Sequence, residues 1–180
     1  MIGALAPIVL LATVSTADVE VTLGEGRGSC SVRGAFAVPV SAALAWRVLT
    51  DYDSLGRFVH SIESSRLEQD GNGEPRVRQV ALGGTFPFRR RVHVLLALDV
   101  DPEHRIGFHD VLARDFHSYV GEWRVSLEAG ETRVEYRLEA DPRGVLARTF
   151  CHGALRGMAK ELLAEVRDEM IRRSREAAHP

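Results

Sequence analysis

Residues 146–175 read LARTFCHGALRGMAKELLAEVRDEMIRRSR, a pattern that predicts one long helix with a single apolar face. Five side chains share one stripe at 100° per residue: Cys151, Leu155, Met158, Leu162 and Val166. Ala154, Ala159 and Leu163 flank this stripe, and charged side chains such as Lys160 and Glu165 lie opposite it. Because such a helix is stabilised mainly by burial of its apolar face, the upstream chain must supply a covering surface.

The chain before this helix carries the pattern of an antiparallel sheet. Between Ser61 and Ala140 apolar residues alternate with polar ones, and short turns such as Asp70–Gly73 interrupt the alternation. Six strands are predicted: Ser64–Gln69, Pro75–Leu82, Phe86–Val100, His104–Leu112, His117–Leu127 and Thr132–Ala140. Short connections predict antiparallel pairing and one apolar sheet face, which the long helix would cover.

The N-terminal part of the domain adds an extended segment and two short helices. Val19–Leu23 and Ser29–Val38 flank a glycine-rich turn and read as a hairpin or as one bent edge strand. Ser41 is a typical N-cap for a helix over Ala42–Thr50, and a shorter helix follows at Leu55–Val59. The sequence therefore predicts an α+β domain in the order strand, two short helices, six strands and one long helix.

The first 17 residues differ from the rest of the chain. Ile2–Val14 is a run of apolar and small residues, and Ser15–Ala17 has the small side chains of a signal-peptide cleavage site. We therefore predict a signal peptide over 1–17, one domain over 18–180, and a periplasmic or secreted protein. Because Pro7 interrupts the run and no basic residue precedes it, cytoplasmic and membrane-anchored forms remain alternatives.

The net charge and the absence of known motifs argue against nucleic acid, metal ions and nucleotides as partners. A formal net charge of −2 provides no general attraction to nucleic acid. The sequence contains no metal-binding arrangement of Cys and His, no glycine-rich phosphate loop and no HExxH motif. We expect a monomer that needs no metal or other cofactor and binds no nucleic acid.

The chain has two cysteines, Cys30 and Cys151. They form a disulfide if the protein is exported, or are two separate buried thiols.

Four local phrases carry a resemblance to a known superfamily. They are FAVPVSAA at 36–43, WRVLTDYDSLGRFV at 46–59, GEW at 121–123 and TRVEY at 132–136. Together they resemble the START-like, or Bet v 1-like, helix-grip superfamily, and within it an exported branch of the bacterial polyketide cyclase/dehydrase or coenzyme Q-binding proteins. The resemblance covers about 29–173. It implies a seven-stranded, curled antiparallel sheet wrapped around the long C-terminal helix, with a ligand cavity between them.

Candidate cavity residues follow from this implied architecture. Strict alternation puts His117, Tyr119 and Trp123 on one strand face, and Phe116 and Val120 on the other. We predict eight ligand-facing side chains: His109, His117, Tyr119, Trp123, Tyr136, Leu155, Met158 and Leu162. The small and pliable residues of the helix stripe fit an open cavity, but they equally fit close packing on the sheet.

Arginines and phenylalanines are candidates for the cavity entrance. Arg89–Arg91, together with Arg172, Arg173 and Arg175, either contacts lipid phosphates or an acidic partner, or is simply solvated. The resemblance places three phenylalanines near the entrance loops, where they would gate the cavity or contact a membrane surface: Phe86, Phe88 and Phe116.

The leading functional prediction is a non-enzymatic carrier or sensor of a hydrophobic small molecule such as a lipid, quinone or isoprenoid. We assign no catalytic residue on this reading. One alternative is a cyclase or dehydratase that uses His109, His117 or Tyr119. Another alternative is a protein-interaction module whose cavity is closed by its own side chains.

Overall fold

The structure is a computed structural model that describes residues 19–24, 29–83 and 90–178, without the side chains of 145–152. The predicted signal peptide over 1–17 lies outside the described residues. The same holds for Phe86 and Phe88, and the side chain of Cys151 is also outside the description. Its possible partner, Cys30, is buried and disulfide-bonded.

The described residues form eight strands and three α-helices. The strands are β1 Glu20–Gly24, β2 Cys30–Val38, β3 Ile62–Gln69, β4 Pro75–Gly83, β5 Arg90–Asp101, β6 Arg105–Asp110, β7 Phe116–Glu128 and β8 Glu131–Pro142. The helices are α1 Ala42–Leu49, α2 Leu55–Phe58 and α3 Val145–Ala178, and one 3₁₀ turn, Tyr52–Ser54, precedes α2. All strands form one antiparallel sheet in the order β1-β2-β8-β7-β6-β5-β4-β3.

The α+β helix-grip fold is confirmed, but the sheet has eight strands where we predicted seven. The additional strand is β1, which pairs with β2 from Glu20 opposite Ala35 to Gly24 opposite Ser31. The N-terminal segment is therefore a hairpin and not one bent edge strand. Pairing of β2 with β8 then brings the two ends of the domain together.

Helix α1 begins where the sequence predicted. The Ser41 hydroxyl accepts a hydrogen bond from the Leu44 N–H at 3.2 Å, which satisfies one free donor of the first turn. Four side chains on one face of α1 are buried: Leu44, Ala45, Val48 and Leu49. This face packs into the core beside α3, so the short helices close one end of the sheet.

Helix α3 has two halves with different surroundings. Residues 163–173, the packed half, bury Leu163, Val166 and Met170 to 0–2% exposure against the core, and Val166 also borders the cavity at the junction of the two halves. Gly34 of β2 permits this close approach, because a Cβ at that position would collide with the Leu163 side chain. Residues 154–162, the cavity half, hold Leu155, Met158 and Leu162 only partly buried.

An ion network centred on the buried Glu169 carboxylate ties the packed half to the rest of the domain. The Glu169 carboxylate accepts hydrogen bonds from Arg172 Nε and Arg173 Nε, each at 2.7 Å. Arg173 also donates to Asp51 at 2.8 Å, and its guanidinium lies 5.7 Å from the centre of the Phe58 ring. Hydrogen bonds from the two arginines, led by Arg172, lower the pKa of Glu169. Arg172 and Arg173 therefore bind carboxylates within the fold, and the alternative that they contact a lipid phosphate or an acidic partner stays a prediction.

Candidate ligand cavity

A cavity of about 720 Å³ lies between the sheet and the cavity half of α3. It is lined mainly by apolar side chains from α1, β4, β5, β6, β7, β8 and α3. From α3 the lining side chains include Leu155, Met158 and Leu162, whose partial exposure is therefore exposure toward the cavity. This volume falls within the range of small-molecule binding pockets.

Aromatic side chains from β6, β7 and β8 form one side of the cavity, the aromatic wall. Its members are Phe108, Phe116, Tyr119, Trp123 and Tyr136. Ring centroids are 4.4 Å apart for Trp123 and Tyr136, a directly opposed pair on β7 and β8, and 4.8 Å apart for Phe116 and Tyr119. Phe108 links the two pairs, at 6.2 Å from Tyr119 and 6.4 Å from Tyr136. These separations are typical of stabilising aromatic contacts.

The Phe108 ring depends on a glycine in the neighbouring strand. Gly121 of β7 lies directly opposite Phe108 of β6. A Cβ at Gly121 would overlap the Phe108 ring and come within 2.5 Å of the Arg137 carbonyl oxygen. The missing side chain therefore lets Phe108 lie against β7 and join the aromatic wall.

Two phenol groups of the wall are hydrogen-bonded to each other. These phenols belong to Tyr119 on β7 and Tyr136 on β8. Burial raises the pKa of Tyr119 to about 12 and that of Tyr136 well above its usual value. The pKa of Tyr52, at the other side of the cavity, is raised to about 12 by burial as well. All three phenols therefore stay protonated at neutral pH.

The structure brings six of the eight predicted ligand-facing residues to the cavity. They are Tyr119, Trp123 and Tyr136 on the sheet, and Leu155, Met158 and Leu162 on α3. Their contact with a ligand stays a prediction. Phe116, expected on the opposite face of its strand, also lines the cavity.

His109 and His117 lie on the outer surface, so their predicted orientation toward the cavity is wrong. His109 follows Phe108 in β6, and because Phe108 points inward the next side chain points outward. At the start of β7, Phe116 pairs with Pro142 and Ser118 with Asp141, which leaves His117 as an extra residue in a bulge. The bulge breaks the alternation, so Phe116 and Tyr119 face inward together and His117 is exposed.

Several polar lining residues were not predicted. Gln79 of β4 lines the cavity and its amide donates to the Ser65 hydroxyl at 3.3 Å. Ser61 and Arg143 are further lining residues, and Arg90 belongs to the arginine run noted in the sequence. A polar residue at an inward strand position is the available signal for Gln79, whereas nothing in the local pattern marks Arg143. In the described part of the chain, no three His, Cys, Asp or Glu side chains are placed to hold a metal ion.

The loop between β6 and β7 is hydrogen-bonded to the N-terminal part of β5, beside the cavity. The Asp115 carboxylate accepts a hydrogen bond from the His93 N–H at 2.8 Å, and the Asp110 carboxylate accepts from the Leu95 N–H at 2.9 Å. The Arg143 N–H in turn donates to the Asp115 carbonyl oxygen at 2.9 Å. These bonds place Arg143 beside the same end of the sheet as the start of β5.

A family model described as polyketide cyclase/dehydrase and lipid transport matches residues 29–171. The comparison with curated proteins gave no match.

Three solved structures show the same architecture. The Zhui aromatase/cyclase from a Streptomyces species has a TM-score of 0.70 at 21% identity, covering 83% of this chain and 98% of its own. A protein from Thermus thermophilus has a TM-score of 0.68 at 22% identity, covering 80% and 99%. A STAR-related lipid transfer protein fragment from Xanthomonas axonopodis has a TM-score of 0.66 at 16% identity, covering 84% and 93%. At these identities the likeness establishes the shared fold.

Proposed function

Because the chain belongs to the polyketide cyclase/dehydrase and lipid transport family, we propose that it binds a hydrophobic small molecule between its sheet and α3. The observation that carries this proposal is the cavity of about 720 Å³ with its mainly apolar lining. Burial of a hydrocarbon tail contributes about 0.8 kcal/mol per CH₂ group, so an apolar ligand needs few polar contacts. A lipid, an isoprenoid or a quinone, including one of the coenzyme Q type, fits this chemistry.

The aromatic wall and the cavity half of α3 supply different parts of such a site. Trp123 and Tyr136 offer ring faces against which a flat or unsaturated ligand can stack. Met158 and Leu155 face the same cavity with flexible aliphatic side chains that adapt to a ligand surface. The open volume argues against the alternative of an interaction module whose cavity is filled by its own side chains.

The test is competitive binding measured with the neutral fluorescent probe N-phenylnaphthylamine. We expect the probe to bind with increased emission, and long-chain alcohols, isoprenoid alcohols and short-chain quinones to displace it. Met158→Trp fills the cavity and should weaken probe binding by about tenfold or more. Lys160→Trp, on the exposed side of the same helix, is the matched control and should bind as the parent protein does. Failure of the probe and every lipid to bind would refute the proposal.

A second candidate, a cyclase or dehydratase, is favoured by the phenol pair in the cavity. Tyr119 and Tyr136 share a hydrogen bond, and the phenol proton that this bond does not use can be donated to a substrate oxygen. Three residues were predicted as candidates for catalysis: His109, His117 and Tyr119. Because the two histidines face away from the cavity, Tyr119 is the candidate among them that lines it. Turnover of an aromatic-ring-forming polyketide substrate, lost in Tyr119→Phe while binding persists, would support this candidate over a carrier.

We further propose that the protein acts as a monomer in the periplasm or outside the cell, with contact to a membrane surface. The signal-like sequence over 1–17 and the disulfide-bonded state of Cys30 support export, because disulfides persist in oxidising compartments. Within the described residues, no helix is long and apolar enough to cross a membrane. Cell fractionation combined with intact mass tests the export: a chain found only in the cytoplasmic fraction, with residues 1–17 retained and its cysteines reduced, would contradict it.

A further inference from the structure

We propose that Arg90 and Arg143 bind the anionic head group of an amphiphile whose apolar body occupies the cavity. This inference rests on the proposed function and narrows the ligand from any hydrophobic molecule to one with a carboxylate or phosphate at one end. The shared chemistry is an anionic head that a guanidinium can bind through paired hydrogen bonds.

The charge distribution around the cavity is one-sided. Among the described lining residues, the charged side chains are Arg90 and Arg143, and no Asp or Glu lines the cavity. The whole chain contains 25 acidic and 23 basic residues, so an overall excess of basic residues does not explain why the charged lining residues are both arginines. The cavity therefore favours a negative charge at the place where these two arginines lie.

Neither guanidinium is neutralised by a carboxylate within the described residues. Arg143 Nε donates to the Ala113 carbonyl oxygen at 3.3 Å, and Arg90 forms no hydrogen bond or ion pair there. Two nearby acids are already engaged: Glu63 binds Arg91 at 2.6 Å, and Asp115 binds the backbone of β5. Both arginines are exposed, so their donors are accessible to a ligand head group.

The backbone places the two arginines at one end of the cavity. Arg90 is the first residue of β5 and lies opposite Gly83, which also lines the cavity. Arg143 is tied through Asp115 to His93, three residues along β5 from Arg90. Helix α3 begins at Val145, directly after this point, and the N-terminus of a helix adds partial positive charge. The two arginines therefore lie at one end of the cavity, and the apolar lining forms the rest of it.

The experiment compares three ligands that share one tail: dodecanoate, dodecyl phosphate and dodecanol. We expect the parent protein to bind both anions about tenfold more tightly than the alcohol at low salt, with the preference shrinking as salt increases. Arg90→Gln and Arg143→Gln should each reduce the preference, and the double variant should remove it. Comparison of dodecanoate with dodecyl phosphate separates a carboxylate ligand from a phosphate ligand.

Arg91→Gln is the matched control. Arg91 is adjacent to Arg90, is exposed, and pairs with Glu63 instead of lining the cavity. We expect this variant to keep the full preference for anions. Dodecanol binding serves as the internal check of folding, because it should be unchanged in every arginine variant.

Several results would overturn the proposal. Equal affinity for dodecanol and both anions in the parent protein would remove it while leaving the proposed function intact. An equal loss of preference in Arg91→Gln would show a general surface-charge effect, and undiminished dodecanoate binding in Met158→Trp would place the ligand outside the cavity. If none of the three ligands nor the neutral probe binds, the proposed function itself fails, and this inference fails with it.

Discussion

The two halves of α3 carry the same kind of amphipathic pattern, but the sheet uses them differently. In the packed half, Leu163 and Met170 are fully buried and Glu169 is bound by two arginines. In the cavity half, Leu155, Met158 and Leu162 border about 720 Å³ of open space. One continuous helix therefore stabilises the domain at one end and leaves room for a ligand at the other.

The comparison shows what decides whether an apolar stripe packs or lines a cavity. Gly34 lets the packed half approach β2 closely, because the Leu163 side chain occupies the space that a Cβ would take. At the cavity half, the opposite surface is formed by aromatic rings on β6, β7 and β8. The difference lies in the surface that faces the helix and not in the helix alone.

Adjacent leucines give the sharpest test of this division. Leu163→Ala should lower the free energy of unfolding by about 3 to 4 kcal/mol, because the removed side chain is fully buried. Leu162→Ala removes the same atoms next to existing open space, so we expect a loss of about 1 kcal/mol. Denaturant unfolding measures both. Equal losses would show that the cavity-facing and the β2-facing positions of α3 do not differ in packing.

The ion network of the packed half gives the next largest effect. Glu169→Gln should lower the free energy of unfolding by about 2 kcal/mol, because it removes a buried charged acceptor from Arg172 and Arg173. Exposed Glu161→Gln in the cavity half is the control and should change stability little.

The Glu169 effect should also depend on pH. Because folding lowers the pKa of Glu169, its stabilisation is present above the unfolded-state pKa and is lost as pH falls through the lower folded-state pKa. Acid unfolding curves should therefore converge for the parent protein and Glu169→Gln. Curves that stay equally separated down to the most acidic pH would contradict this account.

The smallest predicted effect is the change in tyrosine ionisation for the side chains that face or border the cavity. It is the smallest because all three phenols are protonated at neutral pH. The chain has three tyrosines, and folding raises the pKa of each: Tyr52 and Tyr119 to about 12, and Tyr136 well above its usual value. Ultraviolet titration of the folded protein should therefore show little phenolate at pH values where the unfolded chain, with ordinary tyrosines, is ionised. Ionisation at the ordinary tyrosine pKa in the folded protein would show that water fills this region freely.

These raised pKa values also predict the direction of alkaline stability. A group whose pKa is raised by folding stabilises the protein fully below its unfolded-state pKa, and this stabilisation is lost as pH rises toward the folded-state value. Unfolding free energy should therefore fall between about pH 10 and 12. Tyr119→Phe should show a smaller fall than the parent protein over the same range.

Much of the fold was predictable because local patterns specify it. The Ser41 cap and the alternation along β8 are properties of neighbouring residues, and the structure confirms both. The C-terminal helix is confirmed as well, but Ala159, Leu163 and Met170, which are buried, lie outside the predicted stripe. The strand β1 was harder to classify, because a five-residue alternating segment fits either a hairpin or a bent edge. Its pairing with β2 depends on the position of the whole sheet.

The candidate site was less predictable because alternation gives only relative directions. It states that Phe108 and His109 point opposite ways, but not which of them faces the cavity. At Phe116 and His117 even the relative directions fail, because one extra residue in the bulge shifts the pattern. Arg143 was missed since its place at the cavity depends on the backbone bond to Asp115, which is distant in sequence.

The sequence by itself determined the order of elements, the amphipathic faces and the resemblance that identified the helix-grip fold. Tertiary structure alone decided which half of α3 packs and which half borders open space, because that depends on how closely β2 and the aromatic wall approach the helix. It also brought Arg90 and Arg143, which are distant in sequence, to the lining of one cavity. Periodicity describes one element at a time, whereas a cavity is a property of the distances between elements.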